Sequence, residues 1–278
     1  MKLVILGSGT SHGVPVIGCA CAVCASANPK DNRLRASLYI EGSNGETAVI
    51  DTGPEFRLQA LRAGIKKLDA VFLTHEHADH LHGLDDLRPL CGETPLPVFC
   101  NSRTMADIRE RFSYAFFQTE YRDKPRISLA EAAAPVKVGK LVFTPIPVKH
   151  GALDILGWRI DEEGNDAGSA AFQGAVYLTD LSEIPEKSLP AIGSPEILII
   201  GGLRTRPHGT HFTFRQALGE AANIGARQVF LTHVCHDYSH EQIQHYCDAF
   251  IEEKKLKGIS MSPAWDGLTL TCQASATC

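Results

Sequence analysis

The stretch Thr74-His75-Glu76-His77-Ala78-Asp79-His80 decides how the rest of this sequence is interpreted. It follows the apolar run Ala70-Val71-Phe72-Leu73, which predicts a buried strand that delivers the polar residues to one edge of a sheet. Three imidazoles and a carboxylate at this density indicate metal binding, and these ligands suit zinc, manganese or iron better than calcium or magnesium. Their spacing predicts two neighbouring ions, although a solvated, histidine-rich turn is the simpler alternative.

Four ligands cannot complete two metal sites, so further ligands are expected at the ends of other strands. Three more short apolar runs, at residues 141–148, 175–179 and 228–232, predict strands, and each is followed closely by one ligand-type side chain. These side chains are His150, Asp180 and His233. Any one of them alone would be an ordinary loop residue, but the repeated pattern supports a shared site at one sheet edge.

The spacing His-x-His-x-Asp-His at positions 75, 77, 79 and 80 resembles the signature of the metallo-β-lactamase superfamily. The resemblance implies an α/β fold, namely a four-layer αββα sandwich of two mixed β-sheets flanked by helices, with a dinuclear metal site at one edge. It also implies the metal ligands, which are His75, His77 and His150 on the first metal, Asp79, His80 and His233 on the second, and Asp180 bridging both. The alternation of strands and helices independently predicts a layered α/β domain.

The sequence predicts the N-termini of two helices after residue 212. Each has a hydroxyl residue followed three positions later by glutamine, which is the spacing of a capping box. The two pairs are Thr213 with Gln216 and Ser239 with Gln242. Gly225 and Gly258 stand where these helices could end, because glycine readily adopts the left-handed conformation that closes a helix.

A second cluster of metal-ligand type is Cys19-Ala20-Cys21-Ala22-Val23-Cys24. Three thiols within six residues have the spacing of a metal-binding loop, and the chain looks cytosolic, where disulfides are rare. A Cys-x-x-Cys unit with an extra cysteine two residues earlier fits a zinc knuckle. A fourth ligand is missing, and His236, three residues beyond His233, is the best candidate. The alternative is a set of small buried thiols.

Two motifs resemble the PhnP-like branch of this superfamily, the cyclic phosphodiesterases of the carbon–phosphorus lyase pathway. One is Gly7-Ser8-Gly9-Thr10-Ser11-His12-Gly13-Val14-Pro15, which leads into the cysteine cluster, and the other is Thr232-His233-Val234-Cys235-His236. The resemblance implies hydrolysis of small phosphodiesters such as 5-phosphoribosyl 1,2-cyclic phosphate, with two catalytic divalent metals, zinc or manganese, and one structural zinc. The structural zinc would be held by Cys19, Cys21, Cys24 and His236.

This branch also has an extra active-site histidine, and the segment Arg206-Pro207-His208-Gly209-Thr210-His211-Phe212-Thr213 resembles its surroundings. We assign the role to His211, with His208 as the lesser candidate for contacting the substrate. Either imidazole could instead belong to an ordinary surface loop. In the active-site interpretation, His211 neutralises charge that grows on the phosphoryl oxygens and, when protonated, delivers a proton to the leaving alkoxide.

The predicted reaction uses a hydroxide held between two metal ions, and the carboxylates of Asp79 and Asp51 have supporting roles. Two cations about 3.5–4 Å apart hold a hydroxide between them at neutral pH, and this hydroxide attacks phosphorus in line, so no protein nucleophile is needed. Asp79 could briefly hold the proton of the hydroxide. Asp51, at the end of the run 46–50, could orient a metal ligand, although an Asx turn with Gly53 is equally compatible with the sequence.

Length and composition predict one domain. The chain has 278 residues, of which 44% are hydrophobic, and no linker or internal repeat divides it. We therefore expect a single domain over residues 1–272 and a small, polar tail at 273–278 that frays. The apolar N-terminal run is too short for a signal peptide and no run is long enough for a membrane helix, which predicts a cytoplasmic protein without a membrane partner. The oligomeric state stays open, a homodimer included.

The formal net charge of −5 argues against a long nucleic acid as the main substrate, because proteins that bind one usually carry a basic surface. A tRNA 3′-processing nuclease of the same superfamily would also need a basic, glycine-rich arm, which the sequence lacks. The nearest feature is the aromatic and basic segment 113–127. It could stack on a base or a ribose, or it could be a packed lid or a dimer surface.

Two further branches of the superfamily fit less well. The zinc β-lactamases are exported and generally carry cysteine at the position of Asp180. A non-catalytic, PqqB-like protein of pyrroloquinoline quinone synthesis would share the cysteine-rich zinc site, but that branch departs from the His-x-His-x-Asp-His pattern, which is complete in this chain. Turnover of a generic phosphodiester separates the catalytic interpretation from the non-catalytic one.

Overall fold

The computed structural model describes residues 1–117, 124–164 and 174–272. The predicted fraying of residues 273–278 lies outside the described residues, as do Tyr121 and Arg122 of the aromatic segment. The strands are β1 (Lys2–Gly7), β2 (Ser37–Glu41), β3 (Thr47–Ile50), β4 (Ala70–Phe72), β5 (Leu96–Cys100), β6 (Ile127–Glu131), β7 (Val136–Val138), β8 (Leu141–His150), β9 (Leu153–Glu162), β10 (Ala175–Leu178), β11 (Ile197–Gly201), β12 (Gln228–Thr232), β13 (Ser260–Pro263) and β14 (Thr269–Thr271).

Helices connect these strands and cover the outer faces of the sheets. The α-helices are α1 (Phe56–Ala63), α2 (Ala78–Leu81), α3 (Ser102–Arg111), α4 (Leu189–Ile192), α5 (Phe214–Ile224) and α6 (His240–Lys254). Short 3-10 helices lie at Pro29–Asp31, Leu84–Leu90, Ser113–Ala115 and Glu186–Ser188.

Both sheets are mixed and have seven strands each. Their strand orders are β14-β1-β2-β3-β4-β5-β6 and β13-β12-β11-β10-β9-β8-β7. Strands β3 to β6 pair in parallel in the first sheet, and strands β10 to β13 pair in parallel in the second, while the other pairs are antiparallel. Because parallel strands end at the same edge of their sheet, the residues that follow β3 and β4 lie at one edge, as do the residues that follow β10 and β12.

The two sheets pack face to face through apolar side chains. Phe72 of β4 stacks on Phe143 of β8 with ring centroids 3.9 Å apart, and it meets Trp158 of β9 edge-on at 4.9 Å. On the outer face of the first sheet lie α1 and α3, the latter through Ile108. Helices α5 and α6 cover the outer face of the second sheet, the latter through Phe250. These layers confirm the predicted αββα sandwich.

The two predicted capping boxes are present at the N-termini of α5 and α6, and Gly225 ends α5 in the left-handed conformation as predicted. The prediction that α6 ends at Gly258 is wrong, because Lys255 already takes the left-handed conformation. The reason lies in the next residue. The N–H of Leu256 bonds back to the carbonyl of Ile251, and its side chain packs against the core, so the chain leaves the helix earlier.

The apolar runs that precede the candidate ligands form strands β3, β4, β8, β10 and β12. One boundary differs, because His150 is the last residue of β8 and pairs with Leu153 of β9 across the hairpin instead of following the strand. Within residues 1–117, 124–164 and 174–272, no helix combines the length and the apolar character that crossing a membrane requires. The cytoplasmic location stays a prediction.

Candidate metal centre

The predicted ligands of the two-metal site converge at one edge of the sandwich. In the first sheet, β4 leads into the loop with the first two histidines of the signature, and α2 carries its aspartate and last histidine. In the second sheet, β8 ends in His150, Asp180 is the second residue after β10, and His233 directly follows β12. The structure therefore brings the seven predicted side chains together from both sheets.

Backbone strain is concentrated at this edge. Four non-glycine residues have a positive φ angle in the part of the chain that the structure describes, and three of them are Asp51, Asp180 and His233, at 63°, 52° and 57°. The fourth, Lys255, closes α6. The left-handed conformation is unfavourable for a residue with a Cβ atom, so its recurrence at three strand ends marks points where the chain turns sharply to aim a side chain at the site.

His75, His77 and His150 form the first group, in which one ring nitrogen from each lies within 4.8 Å of the others. His75 is fully buried, yet its Nε2 has no hydrogen-bond partner among the described residues, which is rare for a buried polar atom that holds no metal. Burial and the charge on His80 lower the pKa of His75 well below its usual value, and burial also lowers the pKa of His150. Neutral imidazole is the form that binds metal.

Asp79, His80, Asp180 and His233 form the second group, within the same 4.8 Å limit. Asp180 reaches both histidines, since its Oδ2 lies 3.1 Å from His80 Nε2 and its Oδ1 lies 3.0 Å from His233 Nε2. Asp79 Oδ2 lies 3.1 Å and 3.8 Å from the same two nitrogens. A metal with bonds of about 2.1 Å to nitrogen and oxygen holds tetrahedral neighbours roughly 3.4 Å apart, so this spacing fits one ion.

Asp180 connects the two groups. Besides its contacts within the second group, its carboxylate lies within 4.8 Å of ring nitrogens of His150 and His211. His150 belongs to the first group, so the same carboxylate faces both groups. This placement is compatible with the bridging role that the sequence resemblance implies.

The second group carries an excess of negative charge. Burial would lower the pKa of His80 and His233, but the carboxylates of Asp180 and Asp79 raise both, to about 9 for His233. Burial likewise opposes ionisation of the two carboxyls, yet the imidazoles hold their pKa well below the usual value. Buried carboxylates at this density need compensating cations, either protons on the imidazoles or divalent metal ions. The residues present therefore fit divalent metals.

Asp51 orients the ring of His80 through Nδ1, the nitrogen that does not face the other candidate ligands. Its Oδ2 lies 2.7 Å from His80 Nδ1, and it accepts hydrogen bonds from the Thr74 N–H at 2.8 Å and from the Thr74 hydroxyl at 2.9 Å. A carboxylate on Nδ1 fixes the tautomer of the ring and leaves Nε2 free for a metal. Of the two interpretations that the sequence allowed, the geometry supports the orienting role for Asp51 rather than an Asx turn with Gly53.

Two residues of the loop that follows β11, Thr210 and His211, contact the site. The carbonyl of Thr210 accepts a hydrogen bond from His150 Nδ1 at 2.8 Å, which again leaves Nε2 for a metal. The next residue, His211, has its Nδ1 3.8 Å from Asp180 Oδ1, and its ring lies 4.7 Å from that of His150 and 4.8 Å from that of His233. Burial and the charge on His233 lower the pKa of His211 to about 3, so this imidazole is neutral at rest.

His208 lies farther out in the same loop. It is exposed, its Nδ1 lies 3.3 Å from the backbone N of Thr210, and its ring lies 5.0 Å from that of His211. The structure thus places His211 against the candidate metal ligands and His208 at the loop surface, which is the order of preference that the sequence suggested. Their roles in catalysis and substrate binding stay predictions.

The predicted cysteine site also comes together. The Sγ atoms of Cys19, Cys21 and Cys24 lie 3.4, 3.5 and 3.4 Å from Nδ1 of His236. A tetrahedral zinc with Zn–S bonds of about 2.3 Å and Zn–N bonds of about 2.0 Å puts sulfur and nitrogen roughly 3.5 Å apart, so these distances fit one zinc ion. The backbone N–H of Cys24 and the ring of His236 lower the pKa of Cys21 to about 6, which favours the thiolate that zinc binds, whereas burial raises the pKa of Cys24 to about 11.

Sequence reasoning missed the residue that ties this cysteine site to the sandwich. Arg33 is only 1% exposed, and its guanidinium donates to the carbonyls of Cys235 at 2.6 Å and Tyr238 at 2.9 Å, on either side of His236. Asp31 supplies the countercharge at 3.4 Å. A lone arginine in a sequence predicts a solvated side chain, so nothing in the pattern identified this one as buried.

The aromatic segment 113–127 is described only in part. The hydroxyl of Tyr114 donates to a carboxylate oxygen of Asp85 at 2.6 Å, and the guanidinium of Arg109 in α3 lies over the ring of Phe116. Phe117 is exposed. These contacts fix the start of the segment against α3 and the preceding 3-10 helix, and the proposed stacking on a substrate stays a prediction.

Comparison with known proteins agrees with this architecture. The chain matches the family model described as a beta-lactamase superfamily domain over residues 47–234, which is more than half of its length. The crystal structure of a diphosphatase from the PhnP family superimposes with a TM-score of 0.82 and 36% sequence identity, covering 98% of each chain. Zn²⁺-bound PqqB from Methylobacterium extorquens superimposes with a TM-score of 0.76 over 98% of this chain and 100% of that chain, but at 18% identity it shows the fold alone.

Among curated proteins, an octanoyltransferase of Porphyromonas gingivalis is 40% identical over 239 residues, which are 85% of this chain and 46% of that protein. The chain spans about half the length of the curated relatives it matches. The family model and the PhnP-family structure confirm the resemblance drawn from the sequence motifs. The chain belongs to the metallo-β-lactamase superfamily, in its PhnP-like branch, and has the fold of the metal-dependent hydrolases of that superfamily.

Proposed function

We propose that this chain is a metal-dependent hydrolase of small phosphates whose attacked phosphorus carries one negative charge and two bridging oxygens, namely cyclic phosphodiesters and diphosphates esterified at both ends, with two divalent metals in its catalytic site. The observation that supports this most is the position of Asp180, whose carboxylate faces ring nitrogens of both groups. Two groups that share one carboxylate are close enough to act on a single phosphorus atom. One group offers three imidazoles and the other adds two carboxylates, so the two ions would differ in their ligands.

The residues of the chain position the reactants and move the proton. When bound, the two ions supply a hydroxide nucleophile at neutral pH and positive charge for the phosphoryl oxygens. The imidazoles and carboxylates of the two groups would be engaged as metal ligands, so water rather than one of these side chains is the expected nucleophile. Asp79 is partly exposed and belongs to the second group, so it would lie close enough to the attacking water to hold its proton briefly.

His211 would act on the other side of the phosphoryl group. It is neutral at rest, so it first donates a hydrogen bond from its ring N–H to a phosphoryl oxygen. Negative charge that develops beside it would raise its pKa, so that it takes up a proton from solvent and passes that proton to an alkoxide leaving group. A good leaving group would need this proton far less than a sugar hydroxyl does.

The substrate class follows from the charge at phosphorus. The PhnP-family relative is a diphosphatase, and the sequence motifs implied a cyclic phosphodiesterase. In a cyclic diester and in an esterified diphosphate, the attacked phosphorus carries one negative charge and two bridging oxygens, and only the leaving group differs. A phosphomonoester has a second negative charge that would bind both metals in place of the nucleophile. We therefore propose selectivity for diester-type phosphorus.

A matched set of substrates tests this proposal. Protein loaded with Zn²⁺ or Mn²⁺ would be assayed with bis(p-nitrophenyl) phosphate, a ribose cyclic phosphate and a dinucleoside diphosphate, in parallel with p-nitrophenyl phosphate. Faster cleavage of the diester-type substrates supports the proposal, and faster cleavage of the monoester contradicts it. No turnover of any substrate by fully loaded protein would favour the non-catalytic, PqqB-like interpretation, and selective cleavage of a 3′-extended tRNA would favour the nuclease.

The octanoyltransferase match raises a second candidate, the hydrolysis of an acyl thioester. This relative has the higher identity over most of the chain, but more than half of that protein has no counterpart in this match. Its name therefore describes a protein with a further part, to which the acyl transfer could belong. An octanoyl thioester in the same assay separates the candidates, because a thioester turned over faster than every diester would assign this chain to acyl hydrolysis.

A further inference from the structure

Glu76 stands between two of the predicted first-group ligands but belongs to neither metal group. It is only 5% exposed. Its Oε1 accepts a hydrogen bond from Nε of Arg103 at 2.5 Å, and its Oε2 accepts one from the hydroxyl of Thr104 at 3.3 Å. Its backbone carbonyl accepts a third from the guanidinium of Arg111 at 3.2 Å. All three donors lie in α3, so this helix holds Glu76 through both its side chain and its backbone.

The first turn of α3 also contacts the hairpin that carries the third ligand of this group. Asn101 caps the helix by accepting a hydrogen bond from the N–H of Thr104 at 2.8 Å. Its side-chain nitrogen donates to the carbonyl of Asp154 at 3.3 Å. Asp154 pairs with Lys149 in the β8–β9 hairpin, next to His150. One turn of α3 therefore touches both chain segments that supply the three imidazoles of the first group.

The second group is supported by different parts of the chain. His80 is held by the carboxylate of Asp51 on its ring and by the N–H of Thr52 on its backbone carbonyl. Asp180 and His233 follow strands of the second sheet. The contacts of Glu76 with α3 reach the second group only indirectly, through Thr74, whose hydroxyl contacts both His75 and Asp51, and through the bond from the His80 N–H to the His77 carbonyl. Their larger effect should therefore fall on the first group, which is what an experiment can resolve.

Two physical arguments make these contacts important for metal binding. A buried carboxylate is unfavourable unless it is paired and hydrogen-bonded, so Glu76 is tied firmly to Arg103 and cannot turn without losing that pair. The residues on either side of it must place their nitrogens within about 0.2 Å of ideal metal distances. Rotation of the backbone at Glu76 would displace both imidazoles at once.

We propose that Glu76, held by Arg103, Thr104 and Arg111 of α3, is a positioning residue that sets the affinity of the first metal site. It acts through His75 and His77 and contacts neither the substrate nor the metal. The proposal rests on the ligand assignment made in the proposed function.

Titration with Zn²⁺ tests the role of Glu76. The protein would first be treated with a mild chelator that leaves the cysteine-bound zinc in place, and two further binding events would then be measured by calorimetry. His77→Ala identifies the event that belongs to the first site. Glu76→Gln and Arg103→Ala should weaken that event by about 10- to 100-fold and weaken the second event much less. Arg103→Lys, which keeps the charge, should restore part of the affinity.

Glu162→Gln is the matched control, because Glu162 is also buried and pairs with a cation, the ammonium of Met1 at 2.8 Å, at the end of β9 remote from His150. It should change neither event. First-site affinity equal to wild type in the Glu76 and Arg103 variants would overturn the proposal, as would an equal weakening of both events. If Glu76→Gln fails to fold, Arg103→Ala decides, because the Arg103 side chain is 63% exposed. A wild type with only one event would instead refute the ligand assignment.

Discussion

The two-metal centre and the cysteine site hold metal ions in contrasting ways. The candidate ligands of the first are mostly buried side chains that follow or end strands of both sheets or lie in α2, and two of them sit in a strained, left-handed conformation. The second takes three half-buried thiols from one loop and closes them with an imidazole from another. The contrast suggests that a site for chemistry needs ligands fixed by a rigid framework, whereas a site that joins loops needs only four soft ligands that enclose the ion.

The two sites nevertheless meet in one short segment. His233 belongs to the second metal group, and His236 completes the cysteine site three residues later. The carbonyls on either side of His236 are held by Arg33, and the Val234 N–H bonds to the Ser8 carbonyl of the N-terminal loop. A disturbance of the cysteine site should therefore reach the catalytic site indirectly, with a smaller effect than a direct loss of a catalytic ligand.

The largest expected effect is the loss of the carboxylate that faces both groups. Asp180→Ala should lower phosphodiester turnover by more than about 10³-fold while the protein stays folded, because charge stabilisation by both ions depends on it. Turnover of bis(p-nitrophenyl) phosphate and the melting temperature measure the two quantities. Asp248→Ala, which removes an exposed carboxylate on α6, is the control. Near-wild-type turnover by Asp180→Ala would show that the two-metal centre is not the catalytic one.

His211→Ala should have the next largest effect, and it should depend on the leaving group. Turnover should fall by roughly 10²- to 10⁴-fold when the leaving group is a sugar hydroxyl, and much less when it is p-nitrophenolate, which hardly needs a proton. The exposed imidazole of His245 on α6 gives the control His245→Ala. Equal losses on both substrates would make His211 a phosphate-binding residue, and unchanged turnover would move attention to His208.

Removal of the cysteine site should affect stability more than chemistry. The double variant Cys21→Ser/Cys24→Ser should lose one zinc ion and melt roughly 5 °C lower or more, because metal binding contributes to the free energy of folding. Its turnover should fall far less than that of Asp180→Ala. Cys91→Ser, a half-buried thiol outside both sites, is the control. A double variant that keeps its zinc and its melting temperature would reduce the cluster to a set of thiols without a structural ion.

The smallest expected effect concerns the metal-free protein. The carboxylates of Asp180 and Asp79 outweigh burial and raise the pKa of His233 from 6.5 to about 9. A raised pKa contributes stability that is fully present below pH 6.5 and is lost as the pH rises through about 9. The melting temperature of metal-free protein should therefore fall between these values, while that of metal-loaded protein should not. A metal-free protein that becomes more stable over this range would contradict the charge distribution of the second group.

The sequence identified the candidate side chains that converge at one edge of the sandwich, because metal chemistry restricts the residue types and because each candidate followed an apolar run. That they are metal ligands stays a prediction. Strands β4, β8, β10 and β12 form where those runs predict them, and the two sheets confirm the predicted sandwich. Capping boxes at α5 and α6 were equally legible, since their hydrogen bonds depend on residues three positions apart. These features depend either on residues close together in the chain or on a pattern that recurs, and both can be detected in a single sequence.

Features that depend on contacts between residues far apart along the chain could not be predicted from the sequence. Glu76 occupies a variable position of the signature, and only its contact with Arg103 in α3 indicates a role. The burial of Arg33 depends on carbonyls about 200 residues away. The end of α6 was misplaced for the same reason, because a glycine preference at Gly258 was outweighed by the packing of Leu256 on the core.

Metal analysis before and after mild chelation tests the central contrast between the two sites most directly. We expect purified protein to hold three metal ions per chain. A mild chelator should remove two of them, from the site of mixed nitrogen and oxygen ligands, and abolish phosphodiester turnover, while one zinc stays bound to the cysteines. Adding Zn²⁺ or Mn²⁺ back should restore turnover. Loss of the cysteine-bound zinc first, or full turnover by protein that holds only that one zinc, would contradict the account.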